Sequence, residues 1–145
     1  MFPHHSFMIL LSCSILLYAL LPRFLAAAES TSTNQCSDQV GSILIFEDEM
    51  VRVWNFTLKP GETTTTHRHN YDYHFVAIQP TQLEVYSENG TRLFDFRAEG
   101  TLGFKVDGEF LTPTNIQLPW PVPRTHSAKN IGTTDYYEIL VERKV

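Results

Sequence analysis

The sequence predicts an all-β domain of antiparallel strands, closed into a barrel or stacked as a sandwich. Three observations predict it. From Ser42 to the end, short apolar or alternating runs recur at the roughly 8–12-residue spacing typical of such folds. Turn residues bound these runs, among them Lys59-Pro60-Gly61, Glu88-Asn89-Gly90 and Val106-Asp107-Gly108. Beyond residue 28, no stretch of useful length keeps a helical period.

The strands follow in order. Residues 43–49 (ILIFEDE) and 50–58 (MVRVWNFTL) form the first two. In the second, Val51, Val53, Asn55 and Thr57 alternate with Arg52, Trp54, Phe56 and Leu58. Residues 74–79 and 82–87 read as two strands with a break at Pro80, and residues 91–98 and 101–106 as two more around Glu99-Gly100. Residues 113–123 are punctuated by proline, which donates no ladder hydrogen bond, so they are not a central strand. Residues 134–145 close the chain with a strongly apolar strand. An immunoglobulin-like sandwich competes with the barrel, but the cysteine pair that links its sheets is absent.

The amino-terminal part reads separately. Residues 7–21 are almost wholly apolar and uncharged, and Ala26-Ala27-Ala28 supplies the small residues at which a secretory leader is cut. The expectation is a signal peptide over residues 1–28, a disordered lead-in over 29–41 and one domain over 42–145; an uncleaved anchor is the alternative. Arg23 interrupts the apolar run before it reaches the roughly 20 residues of a membrane span, so no stable span is expected after cleavage. Secretion makes two sequons usable: Asn89-Gly90-Thr91, in a turn, and Asn55-Phe56-Thr57, within a strand. Of the two cysteines, Cys13 lies in the leader, leaving Cys36 as a free thiol or an intermolecular bridge. The net charge is −5 and no basic run exists, which excludes nucleic acid and anionic membranes as natural partners.

The chemistry is concentrated in residues 60–74, PGETTTTHRHNYDYH, which hold three of the six histidines. On an extended chain His67 and His69 project to one face, and two convergent imidazoles begin a metal site. His126 is the complement, because a closed β architecture brings distant strands together. If the extended geometry continues, Tyr71 and Tyr73 share the histidines' face and His74 points away; a one-residue slip around residues 70–72 would bring His74 inward. Asp72 reads as a loop cap and Arg124 as a loop charge that stays solvated or approaches an anionic ligand.

These residues carry a resemblance. Gly61-x5-His67-x-His69 resembles the first signature of the cupin superfamily, and Pro121-x-Pro123-x2-His126-x3-Asn130 its second. The strand pattern around them fits from about residue 46 to 145. HRHNYDYHFV with RTHSAKNIGTTDYYEILVE is similar to small single-domain cupins such as the BauB-like proteins of β-alanine degradation. The resemblance implies an antiparallel double-stranded β-helix, the jelly-roll barrel of RmlC-like cupins, and usually a homodimer. Two departures stand out. Tyr73 and His74 occupy the positions where the first signature usually carries a glutamate, and Pro123 replaces the glycine of the second. The resemblance therefore implies either a three-histidine site (His67, His69, His126) or a four-ligand site completed by His74 or Tyr73.

Imidazoles suit Fe, Mn, Zn, Ni and Cu alike, so the expected cofactor is a divalent metal ion of open identity. Such a centre favours a small carboxylate ligand, and Tyr71 or Tyr73 beside it is the natural base for proton abstraction. Two functions follow: a secreted metal-dependent oxygenase or lyase acting on a small organic acid, or a non-catalytic extracellular cupin that binds a metal or small ligand. A metal-free extracellular recognition sandwich is the third reading, and requires the histidine spacing to be coincidence.

Overall fold

The computed structural model describes residues 36–145. The predicted leader and lead-in residues 29–35 lie outside the described residues. The strands are β1 (Ile43–Glu47), β2 (Val51–Leu58), β3 (His67–Arg68), β4 (Asp72–Ser87), β5 (Arg92–Asp107), β6 (Phe110–Pro113), β7 (Val122–Pro123), β8 (Thr125–Asn130) and β9 (Tyr136–Arg143). All pairings between them are antiparallel.

Two walls arise because the β4–β5 hairpin is long enough to serve both. One wall runs β1-β2-β9-β4-β5-β6-β7. In it β9 pairs with the first half of β4, from Asp72 to Gln79. The second half of β4, from Leu83 to Ser87, pairs with β8, which in turn carries β3. The chain crosses between walls at the points read as strand breaks in the sequence. The β4–β5 register slips between Ala77 and Thr81, so Pro80 sits at a bulge where no ladder donor is required. Opposite it, Gly100 takes φ 70°, a conformation glycine adopts without a Cβ penalty. Breaks in sequence are corners in space.

Period-2 alternation places the core. Trp54, Phe56 and Leu58 of β2, Tyr73, Phe75, Leu83 and Val85 of β4, Phe94, Leu102 and Phe104 of β5, and Tyr136 and Leu140 of β9 are buried together. The end of the lead-in joins them, in contrast to the loose segment expected over 29–41. Val40 is 2% exposed, and Arg68 N–H donates to Ser37 O at 2.8 Å. Gly41 is obligatory in this strap, because a Cβ there would stand 2.5 Å from Trp54 Cβ. Among the described residues nothing covers the opposite face of the first wall, which is largely apolar. Phe46, Val53 and Val141 form one cross-strand row on it, and Ile43, Asn55, Ile139 and Val76 the next.

One side chain ties four segments together. Asn130, fully buried, donates through Nδ2 to Leu58 O at 2.9 Å and Thr134 O at 2.8 Å. Its Oδ1 accepts from Thr81 Oγ1 at 2.8 Å and from Gly132 N–H at 2.9 Å. The second signature's asparagine is thus a bracket between β2, β4, β8 and the turn into β9. Asn130→Ala would strand several buried polar groups, each costing about 1–3 kcal/mol. The expected result is a loss of roughly 3 kcal/mol or more, seen as a melting temperature lower by on the order of 10 °C in calorimetry.

Candidate metal centre

The segment from Gly61 to His69 is zipped along β8 for its whole length. Gly61 N–H donates to Asn130 O, Asn130 N–H to Glu62 O, Thr64 N–H to Ala128 O, and His69 N–H to Arg124 O, all at 2.8–3.0 Å. His67 thereby lies directly across from His126. The stretch from Gly61 to His67 is longer than that from His126 to Asn130, so the threonine run bulges around Thr65 and Thr66. That bulge has a use: Thr65 O accepts a hydrogen bond from His67 Nδ1 at 3.0 Å. Pro123, in the glycine position of the second signature, does the same for His126, its carbonyl 2.7 Å from Nδ1.

A carbonyl oxygen only accepts, so both imidazoles carry their hydrogen on Nδ1 and present a bare Nε2 lone pair. This is the tautomer a metal requires, and the carbonyl partners fix ring orientation as well. His69 completes the group. The ring centroids of His67, His69 and His126 lie 4.9–5.1 Å apart, and one ligand atom from each falls within 4.8 Å of the others. Among the described residues, His69 Nδ1 is buried without a partner, so no carbonyl fixes the tautomer of this ring and either nitrogen is free to face an ion. Three neutral, convergent, buried nitrogen donors fit a divalent metal ion.

Burial also sets the charge state of the site. All three imidazoles titrate below their ordinary range, because an imidazolium would be desolvated. His126 is held down to about 3, by burial first and by His67 second. An apo site of neutral imidazoles is therefore stable in place.

Of the other predicted residues, the structure brings Tyr73 alone to the centre. Its ring stacks on His69 at 4.2 Å and on Phe104 at 5.1 Å. Burial, with Glu138 and Glu142 nearby, keeps its hydroxyl protonated well above the usual phenol range. Tyr71 lies outside the centre, with the Arg52 guanidinium 5.6 Å above its ring. β3 ends at Arg68, so the alternation does not carry through residues 69–71 and Tyr71 leaves the histidines' face. His74 points outward from β4 and packs over Gly103, away from the triad. The one-residue slip that would have turned it inward does not occur, because Tyr73 is fixed opposite Phe104 and Glu142.

Arg124 stays in the loop, donating to His69 O at 3.0 Å, Asn70 Oδ1 at 3.1 Å and Gly108 O at 3.2 Å. Asp72 accepts from Val106 N–H at 2.8 Å and pairs with Arg143 at 3.1 Å. Of the sequon residues, Asn89 is exposed in the turn from Ser87 to Thr91, whereas Asn55 lies half-buried on β2.

The structure also places a group that the sequence reading passed over. Glu138 of β9 is 5% exposed and lines the same interior cavity as the histidines, from the other wall. It is hydrogen-bonded to the Tyr136 hydroxyl, and burial pushes its carboxyl up to about 8. The cavity measures about 60 Å³, room for a few waters or a handful of ligand atoms. A second buried carboxyl, Glu142, accepts from Trp54 Nε1 at 2.9 Å and does not line the cavity. The available signal was the period of residues 136–143, which puts Tyr136, Glu138, Leu140 and Glu142 on one face.

The architecture can now be compared with known proteins. No family model matches the sequence, and no curated protein matches it. Solved structures do. A cupin domain from Bordetella pertussis Tohama I superposes with a TM-score of 0.51 at 21% identity, over 72% of this chain and 95% of that one. The fold is the cupin double-stranded β-helix. An RmlC-like cupin protein from Desulfovibrio desulfuricans is also similar, with a TM-score of 0.42 at 15% identity over 91% of this chain and 96% of that one. Among the described residues, no helix is long and apolar enough to cross a membrane.

The depressed histidines fix the sign of an acid dependence. Their folded values lie below the ordinary 6.5, so their contribution is fully present above about pH 6.5 and is lost as pH falls toward 3. Glu138 acts oppositely, its contribution being lost as pH rises from about 4.5 through 8. In circular dichroism of the metal-free protein, His126→Asn is expected to flatten the acid limb of the stability–pH curve and leave its alkaline limb unchanged.

Proposed function

We propose that this protein is a secreted cupin whose His67, His69 and His126 hold one divalent metal ion, and that the centre acts on a small organic acid in an oxygenase- or lyase-type reaction. The observation that carries the reading is the convergence of three buried imidazoles, two of them locked by carbonyls in the ligand tautomer. When bound, the metal supplies a Lewis acid that holds and polarises an anionic group. The chain's own residues do the rest. Phe56, Phe75, Phe104 and Leu140 exclude bulk water from the cavity, and Tyr73 donates a hydroxyl beside His69. Glu138 offers a hydrogen-bonding carboxyl on the far wall. A non-catalytic ligand-binding role uses the same centre, and kinship to the BauB-like cupins, supported by the quoted motifs, is compatible with either.

The test is metal analysis of the purified mature protein. About one ion per chain is expected in the wild type and its loss in His67→Ala and His126→Ala; a metal-free wild type, unable to take up Zn(II), Mn(II) or Fe(II) in dialysis, would sink the reading. Turnover of small carboxylic acids by the loaded wild type then separates enzyme from binder.

Secretion and pairing belong to the same proposal. The apolar residues 7–21, the Ala26-Ala27-Ala28 site and the exposed Asn89 support the first. The uncovered outward face, with Ile43 62%, Phe46 51% and Val76 42% exposed, supports a second copy of the chain seated on it. Expressed in a eukaryotic secretory host, the protein is expected in the medium, beginning at Glu29, glycosylated on Asn89 and dimeric by light scattering. Val76→Glu should render it monomeric; a monomeric wild type, or an unprocessed leader, contradicts the respective part.

A further inference from the structure

The interior cavity has two polar ends in an otherwise apolar and aromatic lining. One is the histidine triad on β3 and β8, with Tyr73 stacked against it. The other is Glu138 on β9, presented by the Tyr136 hydroxyl, whose ring is itself held edge-on by Phe56 at 5.8 Å. The two ends belong to opposite walls of the barrel, yet they line one space of about 60 Å³. One Glu138 oxygen is engaged by Tyr136, and no hydrogen bond from a described residue reaches the other. A buried carboxyl with an oxygen that no described residue engages, on the lining of a ligand-sized space, is a hydrogen-bond site awaiting a partner.

We propose that Glu138, positioned by Tyr136, is the second anchor of the ligand, and that the site selects a small hydroxy acid whose carboxylate is held at the histidine end while its hydroxyl, able both to donate and to accept, hydrogen-bonds to Glu138. The inference rests on the metal-centre reading above and adds to it the substrate class. Three features argue for a hydroxyl. The donor must be compact, because the cavity admits only a handful of atoms. It need not carry charge, since a buried ammonium among Phe56, Phe75, Phe104 and Leu140 would add a desolvation cost that a neutral hydroxyl avoids. The ligand must also have two polar ends, because an acid with an apolar tail would set that tail against the Glu138 carboxyl on the cavity lining. Discrimination built on a buried acceptor exceeds what a purely apolar pocket achieves.

The experiment uses the cobalt(II)-loaded full-length mature protein, with glycolate and acetate as probes and the cobalt visible spectrum as readout. Glycolate chelates cobalt somewhat better than acetate in any setting, so the deciding quantity is the change in the glycolate-to-acetate affinity ratio between wild type and variant. In Glu138→Leu the ratio is expected to fall about tenfold, with cobalt affinity unchanged. Tyr136→Phe, which keeps the ring against Phe56 and removes only the hydroxyl, is expected to lower the ratio about threefold, and decides the matter if Glu138→Leu does not fold. An unchanged ratio in a folded variant that still binds cobalt overturns this inference and leaves the metal centre standing. Failure of the wild type to bind cobalt overturns the metal centre, and the second anchor with it.

Discussion

The pairing of His67 with His126 depends on an irregular strand lying along β8 in one register. Only two residues of that strand meet the regular ladder. The rest is held by single hydrogen bonds from Gly61, Glu62, Thr64 and His69 to the β8 side, with Ser37 of the strap bonded along its other edge. A slip by one residue would invert His67 and His69 and dissolve the centre. Asn130 prevents the slip, since its backbone exchanges bonds with Gly61 and Glu62 while its side chain is fixed to Leu58, Thr81 and Thr134. The geometry of the donors is thus set from a residue that touches none of them.

The same zipper explains features that look separate in the sequence. The four threonines between Gly61 and His67 are the excess length of one strand over its partner, and their bulge aims carbonyls inward rather than along the ladder. Thr65 O uses that freedom to orient His67, and Thr66 O faces the Cys36 thiol of the strap at 3.8 Å. Pro123 is acceptable where glycine is usual because the position is required to supply a carbonyl, and proline keeps its carbonyl. Arg124, next in the chain, holds the loop after His69 by two side-chain bonds and ties it to Gly108 O by a third, which keeps the third imidazole aligned without touching it.

The fold class and the triad were legible because each rests on a short-range rule: turn residues between alternating runs, and two histidines one apart on an extended chain. Tyr73 was expected on the histidines' face by the same alternation, but the β4 ladder opposite Phe104 and Glu142 is what turns it inward. What escaped is what pairing alone decides. Residues 136–143 are apolar on both faces, with Tyr136 and Leu140 on one and Ile139 and Val141 on the other, so periodicity cannot say which side meets the core. The register of β9 between β2 and β4 turns Glu138 and Glu142 inward and leaves Ile139 and Val141 on the outer face. The apparent loss of the cupin carboxylate at Tyr73-His74 is therefore incomplete, since an acid of the last strand enters the same interior. Pro80 and Val40 were misleading in a related way, for a proline at a corner and a valine in a polar stretch acquire meaning only from distant partners.

The division of polar groups between walls has a physical consequence for selectivity. Neutral imidazoles on one side and a carboxyl held protonated by burial on the other leave the cavity without net charge in the apo state. The interior then lacks the uncompensated charge that would otherwise destabilise it or draw in water. The stack of Phe75, Phe104, Tyr73 and His69 lines the space with low-polarity surface, so electrostatic interactions inside it are poorly screened. The carbonyl-locked histidines and the tyrosine-held glutamate are thus preorganised on opposite walls of one cavity.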